Sequence, residues 1–234
     1  MKHTAVTAGF ERVTWVVVPA LNEAPVIRRS IGDLRSVFPN VVVTDDGSED
    51  ATGDEALAAG AVVIRHPLNL GQGAAIQTGI DFALSRGAAY VATFDADGQH
   101  SVEDLRLMLE VLCKERLDIV LGSRFLGRAR GMTRARSALI RTGVLFTNLT
   151  TGVSLTDAHN GLRMMTSSTA KRLRICQDRM AHASEFIAQI GRLKLKVKEV
   201  PVTITYSAYS IAKGQKMTNS FRIVLDLFVG WLLR

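Results

Sequence analysis

Two carboxylates two residues apart, Asp95 and Asp97, end an apolar run of strand-forming residues that begins at Tyr90, and Gly98 breaks the extended segment directly behind them. Side chains at i and i+2 of an extended chain point to the same side. The pair is therefore expected to converge at the carboxyl end of a strand, where open α/β sheets bind ligands. With the Gln99 amide oxygen beside them, they form a set of hard oxygen donors suited to Mg2+ or Mn2+, ions that keep water and phosphate oxygens as further ligands. The same Asp-Ala-Asp-Gly stretch also serves as a plain polar turn, so its meaning depends on the rest of the chain.

The surrounding elements must bring other polar groups to the same place. Residues 13–18 read as a buried strand stopped by Pro19, followed by Asn22, Glu23 and a helical pattern through Ile27, Ile31, Leu34 and Phe38. A short strand at 41–43 ends in Asp45 and Asp46, with Ser48 or Asp50 placed to cap the next helix. A third strand at 61–64 leads to Asn69, Gly71, Gly73 and a helix of small residues from Ala74 to Ser85. The strand ending at Asp95 is the fourth, and Ser101 with an acidic first turn opens the next helix. A fifth strand runs from Asp118 to Leu121. Alternating strands and helices predict an α/β fold with a mostly parallel central sheet flanked by helices, whose strand ends share one crevice. Three polar clusters at three successive strand ends then lie side by side.

Beyond Gly122 the pattern changes. Six arginines occur between residues 124 and 141, and a long helix is expected from Arg134 to Thr150. A polar turn from Asp157 to Asn160 leads into a short strand carrying Arg163. A helix from about His182 to Arg192 carries Glu185, and a strand runs from Lys196 to Thr205. Residues 206–215 form a polar loop with Tyr206, Tyr209 and Lys213, and residues 221–234 an amphipathic end too short to span a bilayer.

A chain of 234 residues with 47% hydrophobic content has ample material for a core. The net charge of +7 conceals an asymmetry. Residues 1–123 carry 10 Lys and Arg against 17 Asp and Glu, whereas residues 124–234 carry 19 against 5. The basic second half must face something anionic: nucleic acid, phosphates or a membrane surface. Cys113 and Cys176, both expected in helices, stand far apart, so neither zinc nor a disulfide is indicated and a reducing compartment is expected. No secretory signal and no apolar run of 18 residues is seen.

The ordered set Val18-Pro19-Ala20-Leu21-Asn22-Glu23, Asp45-Asp46-Gly47-Ser48, Asn69-Leu70-Gly71-Gln72-Gly73, Asp95-Ala96-Asp97-Gly98-Gln99-His100 and Gly122-Ser123-Arg124 resembles the inverting family-two glycosyltransferases with a GT-A fold. Within them it is most similar to the dolichol-phosphate mannose synthase and polyprenyl-phosphate glycosyltransferase branch, over roughly residues 13–205. Three departures concern the acceptor: Ala20-Leu21 where many members place an aromatic residue, Asn160-Gly161-Leu162-Arg163 where the synthases show Ser-Gly-Phe-Arg, and a C-terminus without the transmembrane helices many members carry.

The resemblance implies a metal-dependent transfer of a sugar from a nucleoside-diphosphate sugar to a lipid-linked acceptor, polyprenyl phosphate first, with a hydroxyl of a lipid-linked or polysaccharide glycan as the alternative. It implies a nucleotide-binding half at about 13–123 and an acceptor half at about 124–212, followed by a loop and amphipathic helix at 213–234. Pro19, Leu21, Asn22, Glu23, Asp45, Asp46, Asn69, Gly73, Asp95, Ala96, Asp97 and Arg124 would bind the sugar nucleotide. Asp45 and Asp46 would take the base and ribose, and Asp95, Asp97 and Gln99 the Mg2+ or Mn2+ that offsets charge on the departing diphosphate. Arg124, Arg128, Arg163 and Lys213 would grip phosphates, since guanidinium forks match them. A hydroxyl acceptor needs a base, for which Asp157 is the first candidate and Glu185 the second; an ionised phosphate needs none. His100, His159 and His182 are expected to be positional, the remaining arginines a solvated or membrane-facing stripe, and the loop containing Lys213 a cover for the diphosphate.

Other classes fit less well. Nucleic-acid binding has no use for three acidic strand ends. A dinucleotide-dependent oxidoreductase needs a Gly-rich turn after the first strand, where this chain has Pro19-Ala20-Leu21-Asn22-Glu23, and a nucleotidyltransferase needs a Gly-rich basic loop there. The expected place of work is the cytoplasmic face of the membrane, by peripheral contact, with room for a homo-oligomer or a small membrane-protein partner.

Overall fold

Runs of β-branched residues make the strands, and their alternation builds a core on both faces of one sheet. In β1 (Thr14–Ala20) Val16 and Val18 face one side and Val17 the other, all fully buried. The computed structural model describes residues 9–158, 160–177, 182–206, Tyr209 and Lys213. His159, Gly214, Gln215 and the amphipathic segment 221–234 lie outside the described residues.

After β1 come α1 (Ala24–Arg35), β2 (Asn40–Asp45), α2 (Thr52–Ala58), β3 (Val62–Arg65), α3 (Gln72–Ser85), β4 (Tyr90–Thr93), α4 (Val102–Glu115), β5 (Ile119–Arg130), α5 (Arg134–Thr151), β6 (Arg163–Thr166), α6 (Ser167–Arg172), α7 (His182–Arg192) and β7 (Val197–Thr205). The seven strands form one sheet in the order β3-β2-β1-β4-β6-β5-β7. Ile27, Ile31 and Leu34 of α1 and Leu105, Met108, Leu109 and Leu112 of α4 cover one face. Ile76, Ile80 and Ala83 of α3, with Phe186, Ile187 and Ile190 of α7, cover the other. The apolar spacing of three and four residues is what buries one stripe of each helix.

The mostly parallel sheet is as expected, with one exception that matters. β6 runs antiparallel to both its neighbours, β4 and β5. Its first residue, Arg163, therefore sits across from Thr93 and Leu121, at the edge where the parallel strands end.

Several boundaries differ from the sequence reading. β5 continues through the glycine- and arginine-rich stretch to Arg130, because pairing with β7 resumes beyond an irregularity between Ser123 and Arg128. β4 stops at Thr93, so Asp95 lies past the strand and Asp97 in a turn. Neither Ser48 nor Asp50 is the N-cap of α2, which is Ala51. The Ser48 hydroxyl accepts from the Asn22 N–H, while Asp50 receives the first-turn N–H of Thr52. Cys176 lies in an irregular exposed segment, not in a helix, and both cysteines are free.

Candidate active site

The ends of β1, β2 and β4 and the start of β6 open on a crevice of about 520 Å3. Pro19, Leu21 and Glu23 border it from β1 and the turn that follows, Asp46 from the end of β2, and Asn69, Gly71 and Gln72 from the entry to α3. Asp95, Ala96, Asp97, Gln99 and His100 follow β4, Arg124, Arg136, Arg163, His182 and Tyr206 close the opposite wall, and Lys213 borders the crevice beside Leu21 and Glu23.

Asp95 and Asp97 converge through a turn, not through strand alternation. The Asp97 carboxylate accepts from the Gln99 N–H at 3.1 Å and from the Gln99 side-chain Nε2 at 2.6 Å, an Asx-type closure. Asp95 Oδ2 lies 3.0 Å from His100 Nε2, and its Oδ1 accepts from Gln72 Nε2 at 3.4 Å. Burial alone would raise the Asp95 pKa, but His100, Arg163 and His182 together pull it below the ordinary carboxylate value. Asp97 is pushed up to about 6, first by burial and then by the Asp95 charge. Gly161 lets the pair sit there: a Cβ at 161 would stand 2.1 Å from Asp95 Oδ2.

The facing wall is cationic. Arg124 donates through its backbone N–H (3.0 Å) and Nε (2.7 Å) to Asp157 Oδ2, and through Nη1 to the Tyr206 hydroxyl at 2.9 Å. Burial works against the charged guanidinium, yet Asp157 and Tyr206 hold its pKa above the usual value. Arg163 is buried, stacks 4.3 Å over the Phe186 ring, and has no hydrogen-bond partner at Nη1. Burial lowers its pKa to about 10 against the pull of Asp95. Arg136 reaches the crevice from α5, 4.9 Å over the Tyr206 ring.

At the other end, Asp46 accepts the Leu70 N–H at 3.0 Å and the Gly71 N–H at 2.8 Å. Glu23 carries a Lys213 ion pair at 2.8 Å and accepts the Tyr209 hydroxyl at 2.9 Å. Lys213 also donates to the Leu21 carbonyl, which sets it over the β1–α1 turn.

Six expected residues are placed away from the lining. Asp45 is fully buried behind it, accepting from the Ser48 N–H and 3.5 Å from Arg65 Nε. Asn22 accepts the Glu49 N–H and shapes the turn through a positive φ of 53°. Gly73 is pressed against the Gln177 carbonyl. Arg128 is exposed on β5, where strand pairing turns it away from the crevice. Glu185 accepts the N–H groups of Cys176 and Gln177, and so tethers the 173–177 segment. Asp157 likewise reaches the site only through Arg124. Arg136 and Gln72 line the crevice without a local signal in the sequence: Arg136 belongs to the arginines expected on a solvated or membrane-facing stripe, and only the packing of α5 brings it inward.

Residues 15–174 match glycosyl transferase family 2, and the chain belongs to that family. A UDP-N-acetylglucosamine–dolichyl-phosphate N-acetylglucosaminyltransferase of Methanococcus voltae is 28% identical over 94% of this chain and 96% of its own length. An undecaprenyl-phosphate mannosyltransferase of Micrococcus luteus is 29% identical over 80% and 81%. The structure of glucosyl-3-phosphoglycerate synthase from Mycobacterium tuberculosis, in complex with Mg2+ and uridine diphosphate, shares the GT-A fold. It matches at a TM-score of 0.71 and 20% identity, covering 95% of this chain and 80% of that one.

Proposed function

We propose that this family 2 glycosyltransferase moves a sugar from a nucleoside-diphosphate sugar onto a polyprenyl phosphate, inverting the anomeric configuration. The observation that carries the acceptor assignment is the Arg124–Asp157 pair. Asp157 is buried behind Arg124, which its Oδ2 holds, and it does not border the crevice. Glu185 is spent on backbone N–H groups. Among the described residues, the facing wall therefore lines the crevice with cations and with no carboxylate. That arrangement suits an acceptor that arrives ionised and needs charge to place it, not a base to deprotonate it.

A divalent ion fits the acidic side. Burial first, and the Asp95 charge second, make the ionised Asp97 costly, and a cation between the two carboxylates relieves that cost. Among the described residues no group of three or more His, Cys, Asp or Glu side chains could hold an ion alone, so diphosphate oxygens and water would complete the shell. Asp95, Asp97 and Gln99 would hold Mg2+ or Mn2+, and the ion would supply charge stabilisation to the departing diphosphate. The bound Mg2+ and uridine diphosphate of the mycobacterial synthase support this reading.

Asp46 and the Asn69–Gly71 turn receive the base end. Arg163 and Arg136 draw the acceptor phosphate to the face of the sugar opposite the diphosphate. One phosphate oxygen forms the bond to the anomeric carbon as the carbon–oxygen bond to the diphosphate breaks, and no proton has to be removed.

The acceptor's lipid tail places the crevice at a membrane surface. α5 presents Arg134, Arg141, Leu145 and Leu149 outward, a basic and apolar face of the kind that lies in a lipid interface. No helix among the described residues is long and apolar enough to cross a membrane.

The test is transfer from a panel of nucleotide sugars, with Mn2+, to polyprenyl phosphate or to a lipid-linked glycan. A polyprenyl-phosphate sugar of inverted configuration, read by mass and NMR, is expected. Transfer to the glycan hydroxyl alone overturns the acceptor assignment.

A further inference from the structure

Behind Asp46 lies a buried histidine that does not itself border the crevice. His66 Nδ1 is 2.8 Å from Asp46 Oδ1, and Nε2 is 3.0 Å from the Thr78 hydroxyl on α3. Its backbone N–H donates to the Asp45 carbonyl at 2.9 Å, which fixes the base of the side chain to the end of β2. Only 7% of the residue is exposed.

The chemistry of the contact sets the tautomer. A carboxylate oxygen only accepts, so the ring nitrogen facing Asp46 must carry hydrogen. In the neutral ring Nε2 is then the acceptor, and the Thr78 hydroxyl donates to it. Asp46 thus takes three donors: His66 and the N–H of Leu70 on Oδ1, and the N–H of Gly71 on Oδ2. Oδ1 is filled, while Oδ2, with one partner, keeps a free lone pair beside the crevice. The turn carrying Asp46 has no slack, since a Cβ at Gly47 would stand 2.7 Å from the Leu68 carbonyl carbon.

We propose that His66, anchored by Thr78, is a positioning residue of the nucleotide site: it occupies Oδ1 of Asp46 and so aims Oδ2 at a donor N–H of the bound base. This rests on the sugar-nucleotide reading of the crevice. Without the ring, the carboxylate can rotate about χ2 and the outward lone pair is no longer held in one direction. The effect belongs to the base end. The diphosphate end, at Asp95 and Asp97, is built from other residues.

The experiment measures binding of uridine diphosphate and guanosine diphosphate, each with Mn2+, to wild type, His66→Leu, His66→Asn and Thr78→Val, with inorganic pyrophosphate and Mn2+ as the control for the diphosphate end. His66→Leu is expected to weaken whichever nucleotide the wild type prefers by about 10-fold or more, the loss of one hydrogen bond to a charged group. Pyrophosphate binding stays within about twofold, because no contact at that end changes. The Asn amide can place its N–H where the ring Nδ1–H was, so His66→Asn should recover most of the affinity, and Thr78→Val should cost less than His66→Leu. In turnover the loss appears in KM with kcat held, the pattern of a binding contact. Unchanged nucleotide affinity in His66→Leu, an equal loss for pyrophosphate, or no recovery in His66→Asn overturns the inference. A wild type that binds neither nucleotide overturns the donor reading, and this inference with it.

Discussion

The two walls of the crevice hold opposite charge by opposite means. On the acidic wall, Asp46 is held by two backbone N–H groups together with the His66 ring, and Asp97 by the Gln99 N–H and amide. The backbone and amide groups are neutral donors, which orient a carboxylate without cancelling its charge. On the basic wall, Arg124 is held by a full countercharge, Asp157, and Arg136 and Arg163 by aromatic faces. The acidic wall thus keeps negative charge in reserve for a cation. The basic wall neutralises the arginine that braces it and leaves Arg163 and Arg136 to meet an anion.

The sharpest way to break this comparison is Asp97→Ala. Transfer should fall by roughly 10²–10³-fold or more, as for loss of a major electrostatic group in a reaction centre. The metal-free protein should melt no lower than wild type, since removing Asp97 also removes its repulsion with Asp95. A variant with near wild-type turnover would refute the metal assignment. Arg124→Ala tests the other wall. It strands the buried Asp157 carboxylate and should cost about 3–5 kcal/mol of stability, read by denaturant unfolding. Adding Asp157→Asn should return part of it, and a freely tolerated Arg124→Ala would mean the pair does not brace the wall. Gly161→Ala forces a methyl onto Asp95 and should cost about 1–3 kcal/mol, with Mn2+ affinity falling alongside.

Acidity offers a finer probe. Asp97 titrates near 6 instead of its unfolded value of 3.8. Its ionised form is disfavoured in the fold, so this group destabilises the metal-free protein fully above pH 6. That destabilisation is relieved as pH falls toward 3.8. Metal requires the ionised form, so Mn2+ affinity should drop up to about tenfold per pH unit below 6, and calorimetry at pH 5 to 7.5 would show it. The smallest effect is expected at the outer face of α5. Leu145→Asp with Leu149→Asp should weaken binding to anionic vesicles severalfold while leaving transfer to detergent-dispersed acceptor unchanged; undiminished vesicle binding would move the membrane contact elsewhere.

Much of this was legible in the chain itself. Val16 to Val18, Val41 to Val43 and the apolar stripe Ile27, Ile31, Leu34 specify strands and a one-sided helix by period alone. The polar clusters at Asp46, Asn69 and Asp95–Asp97 follow strands directly, so their meeting at one edge is a consequence of parallel pairing. Arg124 and Arg163 were also found from their motifs. Local pattern could not say which of two adjacent carboxylates faces the crevice. Asp45 and Asp46 differ because Ser48 and Arg65 claim the first, while the Leu70 and Gly71 N–H groups turn the second outward.

What sequence alone determined is the acidic wall, where each group lies within a few residues of the strand that positions it. Tertiary structure decided the basic wall. The reversed direction of β6 puts Arg163 at the strand ends, the seating of α5 brings in Arg136, and a contact across 33 residues commits Asp157 to Arg124. Those outcomes depend on long-range packing and charge pairing, which leave no periodic mark in the chain.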